Sequence, residues 1–288
     1  READLAIAVG ARLGETSTEG YTLLDVPRPR QRLVHVHTDP NELGHVYHAD
    51  VPVNAPMPAF ARAARALFPI RPVPWNEWSR AARADQLAYI EPPASTPGDV
   101  DLGQVMVHLR DTLPPDTIVS NGAGNYTLWV QRFWRYRGIR TQLAPTSGTM
   151  GYGLPAAIAA KLVHPERAAL CFAGDGCFLM SGQELATAVQ YRLNVLIIVV
   201  NNGMYGSIRM HQERHYPGNV WGTALTNPDF AALARSYGAH GATVTRTADF
   251  PEALQRARAA GGPALIELQV SGEALSPKLT VSSLRAQG

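Results

Sequence analysis

Short apolar runs alternate with longer amphipathic segments along most of this chain, and turn residues separate them. The apolar runs have the length and content of buried strands, and they lie at residues 5–9, 33–36, 117–120, 168–173, 195–200 and 265–270, with one more near Thr243. The segments between them predict helices at residues 56–68, 75–90, 102–109, 125–134, 153–163, 182–192, 227–238 and 253–259. In the helix at 227–238, we expect Asn227 as the N-cap and Pro228 as the first residue.

This alternation of strands and helices favours an α/β fold with a doubly wound parallel sheet and helices on both faces. The stretch "EPPASTPGD" is rich in proline and turn residues, so it predicts a linker and a domain boundary near residue 98. We therefore divide the chain into part of a first α/β domain at 1–70, a linker at 71–98, and a second domain at 99–288.

The amino-terminal stretch "READLAIAVGARL" has no initiator methionine and enters an apolar strand almost at once. We expect the chain to begin inside a domain, as the carboxyl-terminal portion of a longer protein. The alternative is a natural start at this point.

Composition narrows the class of protein. The chain has 288 residues, 45% of them hydrophobic, which is typical of a globular core. Its formal net charge is +2 and its arginines are scattered, so we expect no nucleic-acid partner. The longest apolar run is too short to cross a bilayer, and no signal peptide is evident. Two cysteines, Cys171 and Cys177, are too few for a disulfide framework, and we expect a cytoplasmic location.

Candidate chemistry follows two successive predicted strands. Gly174, Asp175 and Gly176 come directly after the first, and Asn201 and Asn202 close the second, with 24 residues between the two motifs. One crossover helix would leave these strands parallel, so their carboxyl ends would meet at the same edge of the sheet. If the strands are neighbours, Asp175 and Asn202 would face one another across one strand spacing of roughly 5 Å.

This pair of motifs suits a hard cation that is bound together with a diphosphate. Asp175 offers a carboxylate oxygen, Asn202 a carboxamide oxygen and Met204 a backbone carbonyl, and Mg²⁺ prefers such ligands together with phosphate and water. Gly174 and Gly176 allow the backbone to approach a phosphate, and free amides at the start of the next helix would favour an anion.

Each motif taken alone is usually an ordinary turn. A dinucleotide fingerprint fits less well, because Leu179 occupies the position of the third glycine. The sequence also has no Walker-type phosphate loop. The combination at the ends of successive strands therefore favours the metal–diphosphate site.

The same motif pair matches the cofactor motif of thiamine diphosphate-dependent enzymes, and the chain resembles the acetolactate synthase-like branch of that superfamily. This branch includes acetohydroxyacid synthases and 2-oxo acid decarboxylases. The resemblance runs from Asp4 to about Leu284. The stretches "DLAIAVGARL" and "LVHVHTDPNELG" resemble the second half of the family's central domain, and residues 99–288 resemble its diphosphate-binding domain.

The resemblance implies roles for further residues. In "TSGTMGYGLPAA", the Gly148 carbonyl would accept a hydrogen bond from the aminopyrimidine ring, and Met150 would support the bent cofactor. Met150 is alternatively a simple core residue. In "SNGAGNYTLW", Gly124, Asn125 and Tyr126 would approach the diphosphate end. The backbone amide of Cys177 would bind phosphate, while its thiol is expected to be inert.

The resemblance further implies a thiamine diphosphate- and Mg²⁺-dependent enzyme that acts on a small 2-oxo acid, as a homodimer or homotetramer. In this family an activating glutamate lies on an amino-terminal domain, and this sequence contains no such domain. Neither Glu2 nor Glu15 can take its role, so we expect this chain alone to be inactive. Some synthases bind FAD through the central domain, but the part present here does not support an assignment of FAD.

The substrate side of the site leaves alternatives open. Pyruvate-type decarboxylases carry a glutamate six residues after the second asparagine, where this chain has Ile208, which favours the synthase-like branch. Acetohydroxyacid synthases carry a tryptophan where this chain has His211. His211 and His215 face either the site or solvent. The alternatives to a synthase are a decarboxylase of benzoylformate decarboxylase type and a non-catalytic cofactor-binding protein.

Overall fold

Two parallel β-sheets organise the chain, one in each of two units. The computed structural model describes residues 1–68, 70–92 and 96–286. The chain divides into Arg1–Ser79 and Arg80–Gly288. The predicted α/β class is confirmed, because the named strands of both units pair in parallel. The linker proposed at 71–98 includes residues 93–95, which lie outside the described residues, and the three-part division of the chain stays a prediction.

The first unit contains a three-stranded sheet in the order β1-β2-β3. Its elements are β1 (Leu5–Val9), β2 (Arg32–His37), β3 (Val51–Asn54) and α1 (Met57–Arg65). The central strand is the buried one, because Leu33 and Val36 are fully inaccessible to solvent. Strand β3 is short and contains Pro52, and the apolar pattern did not predict it.

The second unit contains the predicted regular alternation, and the division between the units falls within α2. Helix α2 (Asn76–Tyr89) contains that division. The other helices are α3 (Leu102–Thr112), α4 (Thr127–Phe133), α5 (Gly153–Val163), α6 (Asp175–Phe178), α7 (Leu185–Gln190), α8 (Gly206–His215), α9 (Phe230–Ser236), α10 (Phe250–Ala259) and α11 (Val281–Arg285). Its strands are β4 (Ile118–Asn121), β5 (Gln142–Leu143), β6 (Ala169–Gly174), β7 (Val195–Asn201), β8 (His240–Val244) and β9 (Ala264–Gln269).

The six strands lie in the order β5-β4-β6-β7-β9-β8, and alternate residues of β6, β7 and β9 enter two different hydrophobic cores. On β6, for example, Leu170 and Phe172 pack with α3, α4 and α10, whereas Cys171 and Ala173 pack with α5, α7 and α9. Because both faces of the sheet are covered by helices, its central strands are mostly apolar, with Glu267 on β9 as a buried exception.

The direction of winding reverses between β4 and β6. From β4 the chain moves outward to β5, and it then crosses back to β6 and onward to β7. Ligands of open α/β sheets bind at such a switch point, outside the carboxyl ends of the strands. The loop after β4 and the turn after β6 therefore meet where a ligand is expected.

The N-cap prediction for α9 was wrong. The helix begins at Phe230, and Asp229 is its N-cap, accepting a hydrogen bond from the Ala232 amide at 2.7 Å. Asn227 does not cap the helix because its side chain donates to Asp175 and Asn201 instead. In the described residues, no helix combines the length and the apolar content that crossing a membrane requires.

Candidate cofactor site

The two motifs predicted to form one site come together at the carboxyl edge of the large sheet. Strands β6 and β7 are neighbours, and Gly174 pairs with Val200 in their register. Asp175 and Asn201 therefore stand just beyond paired strand ends, followed by Asn202. The prediction that these strands are parallel neighbours is confirmed.

Asp175 is a buried carboxylate with a nearly complete set of hydrogen bonds. Its side chain is 3% exposed. Its Oδ1 accepts from the Gly176 amide at 2.9 Å, and its Oδ2 accepts from the Gly203 amide at 2.9 Å and from Asn227 Nδ2 at 2.8 Å. Burial raises the pKa of the Asp175 carboxyl above its usual 3.8, and the hydrogen bonds that it accepts oppose this rise. A carboxylate oxygen accepts two bonds, so Oδ1 retains one lone pair for a further partner.

Asn202 and Met204 lie in a loop that is fixed by a short antiparallel bridge. Met204 pairs with Ala224, through bonds from the Tyr205 amide to the Thr223 carbonyl and from the Leu225 amide to the Gly203 carbonyl, each 2.8 Å long. The bridge does not use the Met204 carbonyl. Asn202 Oδ1 accepts from the Met204 amide at 3.2 Å, a long bond that a cation would readily replace.

A cavity of about 80 Å³ opens between these segments. Of the eleven residues predicted to bind cofactor, ten line this cavity: Gly124, Asn125, Tyr126, Met150, Gly174, Asp175, Gly176, Cys177, Asn202 and Met204. The exception is Gly148, which is exposed, has a φ of 67° and is not part of the cavity wall. The structure thus brings together all the residues that were predicted to contact the diphosphate. Of the two residues predicted near the aminopyrimidine ring, only Met150 lines the cavity.

Glycines in this wall make room for two tyrosine rings. A Cβ on Gly176 would lie 2.6 Å from Tyr205 Cε1, and a Cβ on Gly174 would lie 3.1 Å from the Tyr126 ring. Helix α6 is a single turn, and its Gly176 amide is already bonded to Asp175. One of the backbone amides that were expected to favour an anion at the start of this helix, that of Gly176, is therefore already used.

Tyr126 and Cys177 form a buried pair in the wall. The Tyr126 hydroxyl accepts from the Gly122 amide at 2.9 Å and donates to Cys177 Sγ at 3.6 Å. Burial raises the pKa of this hydroxyl well above 10.0. Cys177 Sγ also accepts from the Gly151 amide at 3.1 Å. The Cys177 thiol on α6 thus contacts the segments that precede α4 and α5, and its expected inertness stays a prediction.

The first turn of α8 also lines the cavity and contacts the loop after β4. Ser207 Oγ donates to Asn125 Oδ1 at 2.8 Å, and Ile208 lines the cavity while remaining 54% exposed. His211 and His215 lie on the exposed side of the same helix, with nearly parallel rings 6.4 Å apart, and neither lines the cavity. The open question of their orientation is thus answered in favour of solvent.

Sequence reasoning missed a polar network behind Asp175. Asn227 Nδ2 also donates to Asn201 Oδ1 at 2.8 Å, and Asn201 Nδ2 donates to the buried Glu267 at 2.7 Å. Glu267 stands in the run "ALIELQ", where a carboxylate in a strand that is buried on both faces was an available signal. The sequence did not indicate this role for Asn227, because an asparagine directly before a proline is typical of a helix N-cap.

The donor set fits a hard cation and a diphosphate. In the described residues, no group of three or more His, Cys, Asp or Glu side chains could hold a metal, so a cation here would depend on mixed ligands. Asp175 supplies a carboxylate with a free lone pair, Asn202 a carboxamide oxygen and Met204 a carbonyl that the bridge leaves unused. Oxygen ligands with few protein charges suit Mg²⁺ that is shared with phosphate.

A cavity lined by Gly-Asp-Gly at the switch point of a parallel sheet is the arrangement expected of a diphosphate-binding α/β domain. Family comparison agrees with this reading. Residues 122–268 match the model of the thiamine pyrophosphate enzyme C-terminal TPP binding domain, and residues 1–64 match the thiamine pyrophosphate enzyme central domain. The chain belongs to the thiamine pyrophosphate enzyme family, so the predicted resemblance is confirmed.

Individual relatives point to one branch of this family. The chain is 35% identical over 300 residues to an acetolactate synthase large subunit of Parasynechococcus marenigrum, covering 99% of this chain and 46% of that protein. It is 29% identical over 273 residues to the acetolactate synthase isozyme 2 large subunit of Escherichia coli, covering 94% and 48%. It is also 30% identical over 272 residues to an acetolactate synthase large subunit of Corynebacterium glutamicum, covering 90% and 42%. The chain spans about half the length of these relatives.

Proposed function

We propose that this chain is the central and diphosphate-binding part of a thiamine diphosphate- and Mg²⁺-dependent enzyme of acetolactate synthase type. The enzyme would decarboxylate a small 2-oxo acid and join the product to an acceptor. It would act in the cytoplasm as a homodimer or homotetramer, with the activating glutamate supplied by a domain that this sequence does not include. FAD is not part of the proposal.

The observation that carries the proposal is the state of Asp175. A buried carboxylate beside a glycine-lined cavity has one lone pair unused, and Asn202 lies in the next loop at the same sheet edge. Burying a charge without a full set of partners is costly, so such a group marks a place where a cation completes the set. The relatives named above support the synthase branch.

Each wall of the cavity has a part in this proposal. Asp175, Asn202 and the Met204 carbonyl would hold Mg²⁺. The diphosphate would be surrounded by Gly124, Asn125, Tyr126, Gly174, Gly176 and the backbone amide of Cys177. Met150 would support the bent cofactor, and the Gly148 carbonyl would accept a hydrogen bond from the aminopyrimidine ring. When bound, thiamine diphosphate supplies the carbanion chemistry that cleaves 2-oxo acids.

This chain's own contribution is binding and orientation. Among the residues that line the cavity, Asp175 is the sole acidic side chain, and it is committed to the cation. Proton transfer would therefore depend on groups from elsewhere in the protein. Ile208 places an apolar side chain at the cavity where a pyruvate-type decarboxylase would carry an acid, which supports the synthase type.

The test is an assay of the full-length protein with thiamine diphosphate and Mg²⁺, using pyruvate alone and pyruvate with a second 2-oxo acid. A synthase releases CO₂ and forms an acetohydroxy acid. Aldehyde as the main product would replace the proposal with the decarboxylase alternative. Absence of CO₂ release, with cofactor binding retained, would favour the non-catalytic alternative.

A further inference from the structure

A line of hydrogen bonds crosses the large sheet and ends on Asp175. Thr243 Oγ1 on β8 donates to Glu267 Oε2 on β9 at 3.1 Å. Glu267 Oε1 accepts from Asn201 Nδ2 on β7 at 2.7 Å. Asn201 Oδ1 accepts from Asn227 Nδ2 at 2.8 Å, and the same nitrogen donates to Asp175 Oδ2 at 2.8 Å. The line therefore follows the order of the strands, from β8 to the end of β6.

Glu267 favours one direction for the hydrogen bonds in this line. A carboxylate only accepts, so Asn201 must turn its amide nitrogen toward Glu267 and its oxygen away. That oxygen then faces two donors, Asn227 Nδ2 and the Gly203 amide at 3.1 Å. The orientation of the Asn201 amide is thus fixed by a residue 66 positions away in sequence.

Asn227 is in turn forced to present its nitrogen. Its two N–H groups serve Asn201 and Asp175, and its Oδ1 is buried without a partner among the described residues. An unpaired buried amide oxygen is unfavourable. The orientation is therefore set by the two acceptors and not by the needs of Asn227 itself.

The consequence for Asp175 is an asymmetric carboxylate. Asn227 and the Gly203 amide occupy both lone pairs of Oδ2, whereas Oδ1 accepts only the Gly176 amide. Without Asn227, the plane of the carboxylate would be held only by the Gly203 and Gly176 amides. With Asn227 in place, Oδ2 has two donors and Oδ1 has one, so Oδ1 is the oxygen that keeps room for a cation.

We infer that Asn227, oriented by Glu267 through Asn201, is a positioning residue that fixes Asp175 so that Oδ1 binds the divalent cation. The inference rests on the proposed function, because it takes Asp175 as a metal ligand. Asn227 and Glu267 do not line the cavity and act only through Asp175. Outer partners of this kind typically change metal affinity by about 10- to 100-fold.

The test measures Mn²⁺ binding to the full-length protein by electron paramagnetic resonance of the free ion, at a fixed concentration of thiamine diphosphate. Asn227→Ala should weaken Mn²⁺ binding by about 10-fold or more. Glu267→Met, which removes the acceptor but keeps an unbranched side chain, should weaken it in the same direction by less. The matched control is Asn194→Ala, which makes the same change before the opposite end of β7 and should bind Mn²⁺ as the wild type does.

Two further measurements separate positioning from simple support of the fold. Thermal melts without metal would show a shift for a merely structural residue, while the affinity of the folded protein for Mn²⁺ stayed constant. Because the two residues act in one line, the double variant should bind Mn²⁺ no more weakly than Asn227→Ala alone. If the two losses of Mn²⁺ affinity multiplied in the double variant, Asn227 and Glu267 would act independently, which would contradict the inference.

The outcomes distinguish this inference from the proposed function. Wild-type affinity in both single variants would overturn the positioning role and leave the proposed function standing. If Asn227→Ala does not fold, Glu267→Met decides by the same criterion. No Mn²⁺ binding by the wild-type protein would overturn both.

Discussion

Arg285 on α11 forms a two-pronged ion pair with Glu213 on α8, with Nε and Nη2 each 2.8 Å from a different carboxylate oxygen. Glu213 is 1% exposed and also accepts from Arg209 and from the Gly218 amide. These contacts lower the pKa of Glu213 from 4.5 to about 2, and the hydrogen bonds from the Arg285 guanidinium contribute the most. Since the first turn of α8 borders the cavity, this pair connects the carboxyl-terminal helix to the candidate site.

The first prediction concerns how acidic pH changes the stability that Glu213 contributes to the folded state. A carboxyl whose pKa is lowered by folding stabilises the folded state above its unfolded pKa, and that stabilisation is lost as the pH falls through the folded pKa. The difference in free energy of unfolding between wild type and Glu213→Gln should therefore be constant near neutral pH. It should shrink between pH 4.5 and about 2. Urea denaturation at a series of pH values measures it.

The matched control for this prediction is Glu252→Gln on α10. Glu252 also pairs with an arginine, Arg256, but both side chains are exposed. Such pairs contribute about 0–1 kcal/mol, so the control should lose little stability at any pH. Equal behaviour of the two variants would show that the buried pair has no special role.

The second prediction is that Asp175→Ala abolishes Mg²⁺-dependent binding of thiamine diphosphate, because it removes the one charged protein ligand proposed. Titration calorimetry of the full-length protein measures this. Asp229→Ala is the control, since it removes an exposed N-cap at a cost of about 1 kcal/mol and leaves the cavity intact. Wild-type affinity in Asp175→Ala would refute the metal assignment.

The third prediction separates the two interpretations of Met150. This half-buried side chain both lines the cavity and packs against a hydrophobic core. If it supports the cofactor, Met150→Ala should slow turnover while diphosphate affinity is largely kept. If it is only a core residue, the variant should lose ~2–5 kcal/mol of stability with a normal rate per folded molecule.

Met106→Ala is the reference for that comparison. Met106 is completely buried on α3 and does not line the cavity, so its truncation should affect stability alone. Thermal melts and steady-state kinetics on both variants would be read side by side. The supporting role of Met150 fails if the two variants show the same pattern.

The fourth prediction uses the close approach at Gly176. A methyl group there would lie 2.6 Å from the Tyr205 ring, so Gly176→Ala must displace Tyr205 from the cavity wall. We expect weaker binding of thiamine diphosphate, measured by calorimetry, and partial recovery in the double variant with Tyr205→Ala. Gly262→Ala is the control, because no atom lies within 4 Å of the added methyl group. Unchanged binding in Gly176→Ala would mean that Tyr205 does not shape the site.

The central strands and the two motifs at their ends were predictable because the physics behind them is local. Runs such as Val195 to Val200 are apolar throughout, since both faces of the sheet are covered. Parallel crossovers then place Asp175 and Asn202 at one edge of the sheet. No contact between distant residues had to be known in advance.

The missed features depend on such contacts. Helix α8 has the sequence "GSIRMHQERH", without a clear apolar face, and it is held partly by the pairing of Glu213 with Arg285, 72 residues further along. Asn227 was assigned to a helix start because that signal is local, whereas its bond to Asp175 spans 52 residues. Both features depend on contacts between residues that are far apart in the sequence, and a single sequence does not reveal such contacts.

The cavity wall is assembled from four separate stretches of chain, at 123–126, 150, 174–177 and 200–208. A molecule that bridges them binds only when all four are in place, so it binds the native state and not the unfolded chain. At a concentration 100-fold above its dissociation constant, such a ligand adds about 2.7 kcal/mol to the free energy of unfolding. Occupancy of the site would therefore stabilise the whole second unit, so its apparent stability would rise with the concentration of the bound ligand.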